Sequence, residues 1–353
     1  MDQMRNIQKV LTTLEYDGEH WAQFLALFPE SEVERFDVRD TPGIMKSLKT
    51  ADVAILNGDL DVRFLAGDKL KWIHCDHAGL STSARSEIFE RGIILTGSSG
   101  RSSPVLAEHC IYFMLQSCYH TKELLAAQKA HQWGVEGMKD WRGLFGRTAG
   151  IIGMGNNGRM LAERLHALGM NLICYSRSEP EGFDYITKLV TSRGDKLDLL
   201  LEQSDFIILT VALTDETYHL IDRSAFEKMK RGTTIVNISR GQIMETEALL
   251  DALHSGIVNC AGLDVFEQEP LPADSPIWDE ERIYVTPHTT PQVPDRTGRS
   301  LGIIAENVRR YRMELPMINQ VTERDVFHKA NDAYTQAEKA FLERMKTNKG
   351  AGK

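Results

Sequence analysis

Gly153-Met154-Gly155-Asn156-Asn157-Gly158 stands between an apolar run, Gly150-Ile151-Ile152, and a helical pattern from Arg159 to Leu168 that Gly169 stops. A G-x-G-x-x-G alone is a weak signal. Set between a strand and a helix, with the apolar run Asn171-Leu172-Ile173-Cys174-Tyr175 next in line, it points to a βαβ unit that binds a dinucleotide. Gly153 permits the tight turn, Gly155 lets backbone approach a pyrophosphate, and Gly158 allows close helix–strand packing. The phosphates then rest at the positive end of the helix, beside Asn156 and Asn157. The plainer alternative is a glycine turn in an ordinary βα unit.

The rest of the chain has the same rhythm. Val10 to Leu14, Ala54 to Leu56, Trp72 to His74 and Ile93 to Thr96 are apolar runs of strand length, separated by helical patterns such as the one carrying Trp21, Phe24, Leu25 and Phe28. A second series continues through Phe206 to Thr210, Thr234 to Asn237, Cys260 to Asp264 and Ile283 to Val285. Buried strands alternating with helices predict parallel, doubly wound sheets. At 353 residues the chain has room for about two domains. Glu323 to Arg344 reads as a charged helix with Phe327, Tyr334 and Phe341 on one face.

Forty-one Lys and Arg against fifty Asp and Glu leave a net charge of −9, the wrong sign for a nucleic-acid partner. The five cysteines form no C-x-x-C pair and sit mostly in apolar segments, which fits a reducing compartment. The start lacks the apolar run of a secretory signal, and no stretch approaches the ~20 uninterrupted apolar residues of a membrane span. A cytoplasmic protein without a membrane partner is expected. Cys75-Asp76-His77 has poor spacing for a metal, and no metal is expected.

The end of the strand after the glycine loop is where cofactor choice is read. An acidic residue there would accept hydrogen bonds from the ribose of NAD and repel an extra phosphate. This chain carries Ser176, Arg177 and Ser178 instead, two hydroxyls and a guanidinium suited to the 2′-phosphate of NADP. The alternative makes Arg177 a solvated loop charge, with Glu179 contacting the ribose of NAD.

Three more segments fall at strand ends: Asn237-Ile238-Ser239-Arg240-Gly241, Gly262-Leu263-Asp264-Val265-Phe266-Glu267-Gln268-Glu269-Pro270, and Thr286-Pro287-His288. In this order, with the glycine loop, they resemble the D-isomer-specific 2-hydroxyacid dehydrogenases over residues 50 to 321. Leu106-Ala107-Glu108-His109 and His77-Ala78-Gly79 add to the likeness. Singly, each motif is commonly a loop charge, a capped turn or a solvated helix end.

The chemistry agrees with what the resemblance implies. Reducing a 2-oxo acid needs a carboxylate anchor, a polarised carbonyl, a hydride donor and a proton donor. Arg240 can bind the carboxylate and carbonyl oxygen. His288 can act as general acid and base, and Glu269 can orient its imidazole and favour the protonated form. By resemblance, Asp264 holds the nicotinamide carboxamide, Ile238 lines the cofactor, and backbone at Ala78 and Gly79 takes the substrate carboxylate. Asn157 departs from the family's apolar residue and Ala212 from its proline.

The resemblance further implies a Rossmann cofactor domain, residues 115–288, inserted in a flavodoxin-like substrate domain, residues 1–114 and 289–353. It implies a homodimer too, for which Lys129 to Trp141, with Trp133 and Trp141, reads as an arm. The expected substrate is a small 2-oxo or 2-hydroxy acid, with glyoxylate or hydroxypyruvate first. Asn57-Gly58, Arg101-Ser102, Thr289 and Thr290 are expected to shape its pocket. The rival reading is a dinucleotide-sensing scaffold resembling the C-terminal-binding co-repressors.

Overall fold

The computed structural model describes residues 5–177, 182, 184–191, 197–289, 293–331 and 338. The chain divides into two compact domains, one built from Met1–Arg101 and Pro294–Lys353, the other from Ser102–Val293. In the first, β1 (Lys9–Thr12), β2 (Glu32–Arg35), β3 (Val53–Leu56), β4 (Trp72–Cys75) and β5 (Ile94–Gly97) make a parallel sheet in the order β2-β1-β3-β4-β5. Gln320–Val321 pairs antiparallel with β5 at the edge. That order is the flavodoxin-like one.

Alternation along each strand explains why both faces are covered. Leu11, Ala54, Leu56, Ile73 and Cys75 join one core with Ile44, Leu48 and Ile88. Their strand neighbours Val10, Val53, Ile55 and Trp72 join the other, with Phe24, Ile304 and Tyr311. The period of two puts successive side chains on opposite faces, and β3 and β4 are buried at all four positions. Buried apolar side chains of this kind contribute about 1.5–3 kcal/mol each.

Polar residues also sit inside this sheet, and His74 is the titratable one whose burial matters most. His74 is fully buried, with Nδ1 2.9 Å from Thr96 Oγ1 and Nε2 3.0 Å from Ser98 Oγ. Ser98 spends its hydrogen on Asp76, and Thr96 already accepts from the Trp72 indole. The imidazole therefore donates from Nε2 to Ser98 and accepts at Nδ1 from Thr96, so the network is complete with the ring neutral. Burial pushes the His74 pKa down to about 4 from 6.5. Above pH 6.5 the ring is neutral in both states. As pH falls from 6.5 towards 4 the unfolded chain takes the proton first, and stability drops by about 3 kcal/mol. Denaturant midpoints over this range should show the loss in the native protein, and His74→Asn should flatten the slope. An equal slope in both would contradict it.

The second domain holds seven parallel strands: β6 (Thr148–Ile152), β7 (Asn171–Ser176), β8 (Lys188–Thr191), β9 (Phe206–Leu209), β10 (Thr233–Asn237), β11 (Val258–Leu263) and β12 (Ile283–Val285). Their order, β8-β7-β6-β9-β10-β11-β12, is the dinucleotide-binding arrangement extended by one strand. All run the same way, so the glycine loop, Ser176 and the segments after β10, β11 and β12 emerge from the same, carboxyl edge.

The structure moves the domain boundary. Residue 114 lies inside the continuous helix Ser103–Cys118, whose Ala107, Cys110, Phe113 and Met114 are buried with Ile151, Leu161 and Ile208 in the second domain's core. The helix belongs to that core, so the break falls at Arg101 rather than at 114, and the return at Pro294 rather than at 289. The C-terminal segment starts as a short turn, Glu323–Asp325, and a helix, His328–Asn331, with Phe327 buried. Tyr334 and Phe341 lie outside the described residues. Among the described residues, no helix is long and apolar enough to cross a membrane, and no group of three His, Cys, Asp or Glu could hold a metal ion.

Candidate active site

The glycine loop has the shape its sequence requires. Gly153 has φ +108, a conformation that side chains disfavour. A Cβ on Gly158 would overlap the Gly153 carbonyl oxygen, so only glycine lets the helix Asn156–Ala167 start this close to β6. Gly155 instead faces open space, and Asn156 beside it is exposed. The first-turn amides have no carbonyl one turn earlier in the helix, so a pyrophosphate fits here. Asn157 differs from the residue the resemblance leads one to expect, and the structure gives the reason: its Oδ1 accepts a 2.6 Å bond from the Ser103 hydroxyl, pinning the loop to helix Ser103–Cys118.

Ser176 ends β7 and Arg177 follows it, exposed. Ser178 and Glu179 lie outside the described residues. No carboxylate stands at either described position of this strand end.

After β10 the chain makes a locked turn. Asn237, fully buried, accepts from the Ser239 amide at 3.0 Å and donates to the Arg240 carbonyl at 3.0 Å. Ser239 Oγ donates to Leu209 O at 2.8 Å. The side chain of Ile238 is buried in the core of the second domain. Arg240 is half-buried, with Nη1 donating to Ser239 O at 2.7 Å. At Gly241 a Cβ would overlap the Phe266 carbonyl group, so the Arg-Gly pair packs backbone on backbone against the segment after β11.

That segment carries the acid–base pair. Glu269 Oε1 accepts from the Phe266 amide at 2.9 Å, and Oε2 lies 2.7 Å from His288 Nδ1. An ionised carboxylate can only accept, so Nδ1 carries the hydrogen and Nε2 is the atom presented outward, on a side chain 49% exposed. His288 itself has φ +48, in the left-handed region. Asp264 holds it there from both ends: its carbonyl accepts the His288 amide at 2.8 Å and its Oδ1 the Thr289 amide at 2.9 Å.

Asp264 Oδ1 also takes the Thr286 hydroxyl at 2.6 Å, and Thr286 in turn accepts from His109 Nε2 at 3.1 Å. His109 is packed in the core, stacked on Phe113 at 4.7 Å, and burial lowers its pKa. Asn237 and Thr286 therefore position the site although no motif marks them by function, and Thr289, expected at the substrate pocket, ties its backbone to Asp264. A short polar residue at the end of a buried strand was the signal available.

Ala78 and Gly79 lie in the first domain, in an exposed turn after β4, where Gly79 has φ +79. His77 Nε2 stands 3.2 Å from Asp59 Oδ1. Thr290 is outside the described residues.

The chain is similar to known proteins over most of its length. Residues 111–290 match the family described as D-isomer specific 2-hydroxyacid dehydrogenase, NAD binding domain. A glyoxylate reductase of Korarchaeum cryptofilum is 32% identical over 286 residues, 78% of this chain and 85% of that protein. A hydroxypyruvate reductase of Thermotoga maritima is 36% identical over 267 residues, 73% of this chain and 85% of that one. A family member from Xanthobacter autotrophicus, solved with NADPH and MES, superposes with TM-score 0.75 at 24% identity, covering 90% of this chain and 99% of its own.

Proposed function

As the chain belongs to the D-isomer-specific 2-hydroxyacid dehydrogenases and is thereby an NAD(P)-dependent oxidoreductase, we propose that it reduces small 2-oxo acids, glyoxylate or hydroxypyruvate, to the D-2-hydroxy acids. The observation that carries this is the 2.7 Å His288–Glu269 pair beside the locked Arg240 turn. The glycine loop at the same sheet edge fits a dinucleotide, whose reduced nicotinamide supplies a hydride. Gly153, Gly155, Asn156, Asn157 and Gly158 would hold its pyrophosphate, and Ile238 and Asp264 would border its nicotinamide end. Arg240 binds the carboxylate and carbonyl oxygen, drawing charge onto that oxygen as C2 is reduced. His288 Nε2 gives the oxygen its proton, while Glu269 and the Asp264 backbone fix the ring. Ala78 and Gly79 are assigned to the substrate carboxylate.

NADP is the preferred partner in this reading, because Ser176 and Arg177 stand where an acidic residue would repel the 2′-phosphate. A second copy of the chain is the proposed partner protein. Leu125, Trp133 and Phe145 of the second domain are 58%, 102% and 85% exposed, and these are the apolar side chains a second copy would cover. Trp141 does not share that exposure; it is half-buried, stacked on His120 at 4.5 Å. The five cysteines are buried and unpaired as disulfides, which suits the proposed cytoplasmic setting.

The test is side-by-side oxidation of NADPH and NADH with glyoxylate, hydroxypyruvate, pyruvate and a bulky 2-oxo acid. Turnover of the two small acids, faster with NADPH at equal low concentration, is expected. Faster turnover with NADH would overturn the cofactor assignment alone.

A further inference from the structure

A cavity of about 310 Å³ opens at the carboxyl edge of the first domain's sheet. Glu15 and Tyr16, just after β1, and Asn57, just after β3, line it. These are the two strands between which a β2-β1-β3-β4-β5 order reverses direction, the usual place for a ligand in an open parallel sheet. The volume is at the lower end for small-molecule sites.

Its floor is built and charged. Arg101 and Asp76, each 7% exposed, pair at 2.9 Å. Asp76 also accepts from Tyr16 at 2.6 Å and from Ser98 at 2.7 Å. Among the described residues, the side-chain hydrogen bonds of Arg101 all run through Nη1, to the Asp76 carbonyl, Asp76 Oδ1 and Ser300 Oγ. Nε and Nη2 of a guanidinium that is over nine-tenths buried are thus left as donors. Among the described residues, no Leu, Ile, Val, Met or Phe lines the cavity.

We propose that this cavity receives the far end of the substrate and selects 2-oxo acids whose tails carry hydroxyl groups. The proposal rests on the reductase reading above. His77 lines the cavity and directly precedes Ala78 and Gly79, so a substrate anchored on that turn has its tail next to the cavity. The lining charges balance, with Glu15 and Asp76 against Arg101 and Arg296. A hydroxyl both accepts and donates, so it answers Arg101 and Glu15 or Asn57 together. An alkyl tail would strip water from Arg101 and return no bond. A second carboxylate can only accept, and would meet Glu15.

The test compares kcat/KM for matched pairs, hydroxypyruvate against 2-oxobutyrate and 2-oxogluconate against 2-oxohexanoate. 2-Oxoglutarate serves as the dianion and tail-less glyoxylate as the reference. The hydroxylated member of each pair should be preferred by about ten- to hundredfold. Asn57→Leu, on the exposed rim, and Arg101→Lys, which keeps a cation for Asp76, should each cut that preference at least about fivefold. Glyoxylate turnover with preferences within twofold would overturn the cavity assignment alone, as would 2-oxoglutarate outrunning both hydroxylated acids. No turnover of any acid, glyoxylate included, would overturn the reductase reading and this one with it.

Discussion

Replacing His288 with alanine should lower kcat for glyoxylate by about 10²–10⁴, the usual contribution of a positioned acid–base group, while NADPH still binds. The loss follows from geometry. Glu269 occupies Nδ1 at 2.7 Å, so Nε2 is the ring atom available to protonate the substrate oxygen. The residue is held in a left-handed conformation by two Asp264 contacts that involve only backbone amides. Alanine can keep those contacts, so the loop should survive and the defect should lie in kcat rather than in cofactor affinity. Equal kcat in the two proteins would remove His288 from the chemistry. Loss of NADPH binding would mean that its side chain supports the loop instead.

Gly241→Ala should be as damaging for a different reason. The new methyl group would overlap backbone at Phe266, which has no rotamer to give. The Arg240 turn and the Phe266–Glu269 segment must then separate. A displacement near 1 Å at a reacting centre costs about hundredfold in rate, and overpacking of this kind costs about 1–3 kcal/mol of stability. For a domain of this size that is about 2–4 °C of Tm per kcal/mol. Gly302→Ala is the contrast, because it lies within helix Arg296–Arg312 with nothing within 4 Å of the added Cβ. There alanine should stabilise by about 0.5–1 kcal/mol through helix propensity. Measured kcat/KM and Tm that changed alike in the two variants would contradict the packing argument.

The strands that carry the site were legible because they are buried on both faces. Val53-Ala54-Ile55-Leu56 and Phe206-Ile207-Ile208-Leu209 read as unbroken apolar runs, and each is buried at all four positions. The strands missed are edge or near-edge pieces. Glu32-Val33-Glu34-Arg35 at one end of the first sheet is charged, Gln320-Val321 at the other is two residues long, and Lys188–Thr191 ends the second sheet. Edges shed apolar pattern because one side pairs with nothing. The helix Ser103–Cys118, which crosses position 114, is a related case. Helical periodicity shows that Ala107, Cys110 and Met114 are buried, but not in which core.

The site divides in the same way. Arg240, Glu269 and His288 could be named because their chemistry is rare and their order specific. Asn237, Thr286 and the Ser103–Asn157 bond could not, since a short polar side chain takes its meaning from a partner distant in sequence. Arg101 was expected to shape a pocket, but its pairing with Asp76, 25 residues earlier, appears only in three dimensions.

The central claim is hydride transfer to C2 of a 2-oxo acid. It is tested most directly by incubating the protein with hydroxypyruvate and NADPH dideuterated at nicotinamide C4, then analysing the glycerate by mass spectrometry and chiral separation. The account predicts D-glycerate with one deuterium on C2, formed in proportion to NADPH consumed. Tight NADPH binding with no deuterated glycerate would contradict it, and would favour a protein that senses the dinucleotide without turning it over.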